Sequence, residues 1–108
     1  MPIMSEGVER MYHVKTFFGE YDVEIRKQNY CDNKNLAIDL FDPVEGPFAR
    51  LTVNLGIKLP ENMAYVDTNN CRWAEEFIEE NGLGKPTGDF GASGYCVYPL
   101  YEFNLEKL

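Results

Sequence analysis

The chain has 108 residues, 44% apolar and 26% charged, which suits one domain with a single modest core. Its 18 acidic side chains against 10 basic ones leave a net charge of −8, which argues against direct binding of nucleic acid, since phosphate contacts need a basic patch. Three cysteines, Cys31, Cys71 and Cys96, are odd in number and far apart, without a C-x-x-C pair, which predicts reduced thiols in a cytoplasm. Met1 to Arg10 contains Glu6 and Glu9 and no apolar stretch, so it does not read as a signal peptide. No apolar run is long enough to span a membrane.

Residues 1–9 are expected to form a loose tail ahead of one domain over residues 10–108. Tyr12, Val14, Thr16 and Phe18 then alternate with Met11, His13, Lys15 and Phe17, a period-two strand. Gly19-Glu20 fits a two-residue hairpin with glycine first. In the return strand Tyr21, Val23 and Ile25 face inward and Asp22, Glu24 and Arg26 outward. The polar stretch Lys27 to Asn35 reads as a loop. Leu36, Ile38 and Leu40 mark a third strand, and a turn at Asp42 to Pro47 follows. Ala49, Leu51, Val53 and Leu55 mark a fourth strand, Gly56 to Asn62 a connector, and Met63 to Val66 a short strand or a lead-in.

A helix is predicted over residues 69–81. Asp67, Thr68, Asn69 and Asn70 offer N-caps, and Trp73, Ala74, Phe77 and Ile78 form one apolar stripe. Asn81-Gly82 ends it. Five of the nine glycines fall in 82–94, which reads as a loop with a demanding path or real mobility. Tyr95 to Phe103 is the last strand. Pro99 cannot donate to a ladder and pushes this strand toward an edge or a bulge. The fold class that follows is α+β: an antiparallel sheet of four to five strands packed on one main helix.

Chemistry is sparse. His13 is the only histidine, and no spacing supports a nucleophile beside it. One histidine and three scattered cysteines supply no metal set, and Asp32, Asp39 and Asp42 match no calcium loop. Gly82-Leu83-Gly84-Lys85-Pro86-Thr87 departs from a phosphate-binding loop in glycine spacing, in its proline and in following a helix. No cofactor and no catalytic residue is expected. The one concentrated feature is acidic. Glu75/Glu79 and Glu76/Glu80 are like-charge pairs at i, i+4 on the polar helix face, and only Arg72, four before Glu76, relieves them. Such a row is a solvated face or a docking surface for a basic groove.

Ala64-Tyr65-Val66-Asp67-Thr68-Asn69-Asn70, then Trp73-Ala74-Glu75-Glu76-Phe77-Ile78, then Gly88, Ser93-Gly94-Tyr95 and Tyr98-Pro99-Leu100-Tyr101 together resemble an uncharacterised bacterial family carried on conjugative elements, plasmids and phages. The resemblance covers the second half well and the first half by strand pattern. It implies no catalytic residues; it implies accessory cargo of a mobile element. In that setting a small acidic protein is expected to be a non-enzymatic, protein-binding inhibitor of a host defence nuclease, of the anti-CRISPR or antirestriction kind. It would occlude a basic surface through Glu75, Glu76, Glu79, Glu80 and Asp89. The alternative is an accessory homodimer joined through the last strand at Cys96, Tyr98 and Leu100.

Overall fold

The computed structural model describes residues 11–108; the tail expected over residues 1–9 lies outside them. Four strands, β1 (Tyr12–Thr16), β2 (Gly19–Asn29), β3 (Leu36–Asp42) and β4 (Gly46–Arg50), form an antiparallel meander in chain order. A second four-stranded antiparallel sheet is built from β5 (Thr52–Val53), β6 (Met63–Val66), β7 (Gly84–Ser93) and β8 (Cys96–Phe103), in the order β5-β6-β8-β7. The helix α1 spans Ala74–Glu80, and a 3-10 turn at Leu105–Lys107 closes the chain. The α+β class holds, but the strands divide into two sheets instead of one.

The division happens at Leu51. Its N–H donates to the Ile38 carbonyl in the first sheet (2.8 Å), and its carbonyl accepts from Asp67 N–H at the end of the second (2.9 Å). The run of alternating residues that reads as one fourth strand therefore serves both sheets. Beside this corner Thr52 is buried, and its hydroxyl accepts from Ile38 N–H (3.2 Å) and shares a hydrogen bond with the Tyr30 hydroxyl (3.1 Å).

The main core lies between the sheets and under the helix. Val14, Val23, Ile38 and Leu40 meet Val66, Tyr101 and Phe103, with Phe77 and Ile78 closing from the helix. A seven-residue helix is too short to persist alone. Burying Phe77 and Ile78 contributes about 2 kcal/mol each and holds it in place. A run of tilted and edge-on rings, Tyr21–Phe48–Trp73–Phe77, ties it to the first sheet at centroid distances of 5.1, 5.7 and 6.0 Å. The helix touches both β1 and β7, one edge strand of each sheet. Asn81 donates from its side-chain amide to the His13 carbonyl on β1 (3.4 Å), which blunts that edge.

The helix is shorter than the expected 69–81 because its best capping residue acts earlier. Asp67 accepts from Asn70 N–H (3.1 Å) and from the Asn70 amide (2.9 Å), fixing a turn ahead of the helix. Cys71 is then drawn into the core and Trp73 occupies the N-cap position without a capping side chain. The hairpin turn also moves. Thr16 pairs with Gly19, so Phe17 and Phe18 occupy the turn, and Gly19 supplies a φ of 144° just after it. The polar residues 27–29 extend β2 instead of forming a loop, because Asn29, Gln28 and Lys27 pair with Leu36, Ala37 and Ile38.

The glycine-rich stretch is a strand, not a loop. A Cβ on Gly84 would sit 2.6 Å from the Glu102 carbonyl oxygen, and one on Gly91 2.6 Å from Leu55 Cδ1. These glycines therefore answer to close packing rather than to mobility. The last strand is interior, not an edge. Its pairing with β6 runs from Met63↔Glu102 to Tyr65↔Leu100 and stops short of Pro99, so the missing N–H costs no bond in that ladder. On the outer face of this sheet Tyr65, Tyr98 and Leu100 pack under Val53 of β5, Leu55 just after it and Leu59 of the connector. Asn35 pins the connector by donating to the Ile57 carbonyl (2.7 Å) and accepting from Leu59 N–H (2.9 Å). Tyr98 and Leu100, expected at a homodimer interface, are thus covered by the chain itself, with Cys96 packed beside them.

Thr52→Val keeps the shape of the corner and removes its hydroxyl, leaving Ile38 N–H without that acceptor. A loss of about 1–3 kcal/mol is expected in urea unfolding. An unchanged midpoint would show that the hydroxyl has no role in holding the corner.

Candidate functional site, the acidic helix face

With Ala74, Phe77 and Ile78 buried, helical periodicity leaves Glu75, Glu76, Glu79 and Glu80 exposed. The four split into two rows. Glu75 leans on the second sheet, where the Tyr101 hydroxyl donates to its carboxylate at 2.5 Å. Burial first, and that hydrogen bond second, push the Tyr101 phenol well above its ordinary range, so it stays a neutral donor. Glu75 is therefore partly structural.

Glu76, Glu79 and Glu80 are different. Among the described residues none of them is ion-paired, and Arg72 makes no ion pair with Glu76. Asp89 is exposed in the irregular part of β7, between the paired residues Pro86 and Phe90, with its N–H on Thr87 Oγ1 (3.1 Å). It lies in the strand that the helix touches, but no hydrogen bond joins it to the glutamates among the described residues.

The glutamate row ends at an unforeseen feature. Lys15, Thr16 and Phe17 of the first hairpin and Arg72, Trp73 and Glu76 at the start of the helix line an open cavity of about 260 Å³. Above it stand Phe17 and Phe18, 93% and 92% exposed. The register puts these two phenylalanines in a two-residue turn, a place that favours Asn, Asp and Gly.

On the same hairpin His13 lies between two carboxylates, with Nε2 2.7 Å from Glu20 and Nδ1 3.3 Å from Asp22. In the imidazolium both ring N–H groups donate, and the bonds to Asp22 and Glu20 hold the His13 pKa above 6.5. Both ring nitrogens are occupied from opposite sides, so the three groups do not converge on one point. No cluster of three His, Cys, Asp or Glu side chains suited to a metal exists among the described residues.

A second cavity, about 420 Å³, lies on the outer face of the first sheet. Its charges are already matched. Arg50 binds Asp39 through Nε (2.6 Å) and Nη2 (3.0 Å), Gln28 donates to Asp39 (2.8 Å), and Arg26 stacks 3.7 Å above the Phe41 ring beside Glu24. No helix among the described residues is long and apolar enough to cross a membrane.

Two measurements check this description. Because folding raises the His13 pKa, its ion pairs stabilise at low pH, and that contribution is lost as pH rises through the folded-state value. NMR titration is expected to place His13 above 6.5, with Glu20→Gln bringing it down; an unmoved value would remove the clamp. Cys71 is buried with its Sγ 3.6 Å from the Arg50 carbonyl oxygen, and burial first, then Asp67, pushes its thiol up to about 11. Exposed Cys31 is expected to react with a disulfide reagent at once and Cys71 only on unfolding. Equal rates would contradict the burial.

No curated protein and no solved structure matches the chain. One family profile does, over residues 24–108, which takes in the helix, the second sheet and most of the first, and leaves out β1 and the Phe17-Phe18 turn. The chain belongs to the family described as Domain of unknown function (DUF4313).

Proposed function

We propose that the chain is a non-enzymatic protein-binding module whose acidic helix face docks on the basic, nucleic-acid-binding surface of a partner. The partner we favour is a host defence nuclease of the CRISPR or restriction type, met in the cytoplasm and inhibited by occlusion on behalf of a mobile genetic element. The observation that carries this reading is the row Glu76, Glu79 and Glu80, exposed and without ion-pair partners among the described residues. Like charges four apart weaken a helix by a few tenths of a kcal/mol per pair. A row that costs stability and relieves none of it locally is suited to relief by a partner's cations. The three free thiols accord with a reducing compartment.

The test is a triple reversal, Glu76→Lys, Glu79→Lys and Glu80→Lys, sparing Glu75 because of Tyr101. At about 1 kcal/mol per rim charge, binding is expected to fall on the order of a hundredfold while the helical circular dichroism survives. In a pull-down from host lysate, the native chain is expected to retain a basic nucleic-acid enzyme at low salt and release it at high salt or on adding nucleic acid. Capture that the reversal leaves unchanged would sink the proposal.

A further inference from the structure

We infer that the acidic face does not bind alone: the turn Phe17-Phe18 and the cavity beneath it form the apolar anchor of the same interface, taking an uncharged apolar side chain of a basic protein. The inference rests on the proposed docking of the helix face and adds to it the part that supplies affinity.

Charged rims steer encounter and set salt dependence, whereas buried aromatic contacts carry most of the energy of an interface. The helix face has the first property and lacks the second, since its apolar side chains are all turned into the core. The missing part lies directly against it. Glu76 belongs to the helix row and also lines the cavity with Phe17 and Trp73. Phe17 and Phe18 contribute almost nothing to the fold, being more than nine-tenths exposed. Their turn is held instead by Thr16, whose Oγ1 accepts from Phe18 N–H (3.0 Å) and donates to the Gly19 carbonyl (3.1 Å). A turn clasped by this side-chain hydroxyl and tipped by two rings loses little backbone freedom on binding.

Charge selects the occupant. The cavity is lined by two cations, Lys15 and Arg72, against one carboxylate, Glu76. A cationic side chain is therefore turned away from the cavity and toward Glu79 and Glu80, and an apolar one is admitted between Phe17 and Trp73. Around the tip Glu76 stands on the helix side and Glu20 on the strand opposite Lys15. The chain as a whole, at a net charge of −8, repels an anionic lipid surface. The same net charge opposes association with a second copy of the chain. A protein surface with an apolar side chain framed by Lys or Arg satisfies all three constraints.

The experiment uses the full chain, labelled with nitrogen-15, and two synthetic helical peptides of equal positive charge, one with a leucine face and one with those leucines changed to serine. The leucine peptide is expected to shift amides at 15–19 and 72–80 together and to bind at least about tenfold more tightly than the serine peptide. The double variant Phe17→Ser, Phe18→Ser is expected to erase that difference at both low and high salt. Phe18→Ser alone, outside the cavity lining, serves as the milder variant should the double one fold poorly. Equal affinity for the two peptides, or a leucine preference that survives in the Phe variants, overturns the anchor. So does binding to phosphatidylserine vesicles through the tip, or a dimer in sedimentation that the Phe variants dissolve. If the glutamate reversal leaves peptide affinity unchanged, the acidic-face reading itself fails. If the reversal weakens binding while the Phe variants do not, only the anchor fails.

Discussion

Leu51 is the residue through which the two halves of the molecule are positioned. It donates to one sheet and accepts from the other, and its side chain is completely buried. Three neighbours depend on it. Thr52 carries the buried hydroxyl that satisfies Ile38. Asp67, fixed by the Leu51 carbonyl, starts the turns that lead into the helix. Cys71 reaches back to the Arg50 carbonyl. The position of the helix is therefore set from the corner of the sheets. Its own sequence provides little: no N-capping side chain, no basic residue in the last turn and only seven residues.

That dependence explains how so acidic a helix is tolerated. A free helix of this length and charge would not form. Held by Phe77, Ile78 and the ring run through Trp73, it becomes a rigid mount whose outer residues are relieved of any folding role except at Glu75. It also lies against one edge strand of each sheet, β1 and β7, and Asn81 takes up a β1 carbonyl. One short element thus supplies a core face, edge protection and a fixed charged surface.

Much of this was legible from periodicity. The strands expected over 11–18, 21–26, 36–41 and 95–103, the apolar stripe of the helix and the exposure of its four glutamates all follow from spacing, and each is present, the first and last strands in shortened form. What was not legible involved contacts between distant residues. Nothing near Gly84 or Gly91 in sequence announces that the Glu102 carbonyl and the Leu55 methyl will crowd them, so density of glycine read as a loop. Pro99 read as an edge signal because the short reach of β6 is invisible locally. The single sheet became two because alternation runs unbroken through Leu51 while its hydrogen-bond partners change. The tip at Phe17-Phe18 was missed because alternation assigned those rings to a strand, and only the Thr16↔Gly19 register places them in the turn.

The charge of the molecule is unevenly matched, and on this the proposal of a docking helix face, in place of a merely solvated one, depends. On the outer face of the first sheet Arg50, Asp39, Gln28, Arg26 and Glu24 neutralise one another, with Arg26 also stacked on Phe41. On the hairpin His13 serves two carboxylates at once. Local pairing is thus frequent but not general, since Lys15 opposite Glu20 and Lys85 opposite Glu102 form no ion pair. The helix row forms none either among the described residues, although Lys15 and Arg72 line a cavity with Glu76. The proposed interface rests on this row together with the two bare phenylalanine rings beside it. An interface that must repel cations from its apolar centre and attract them at its edge has a reason for both.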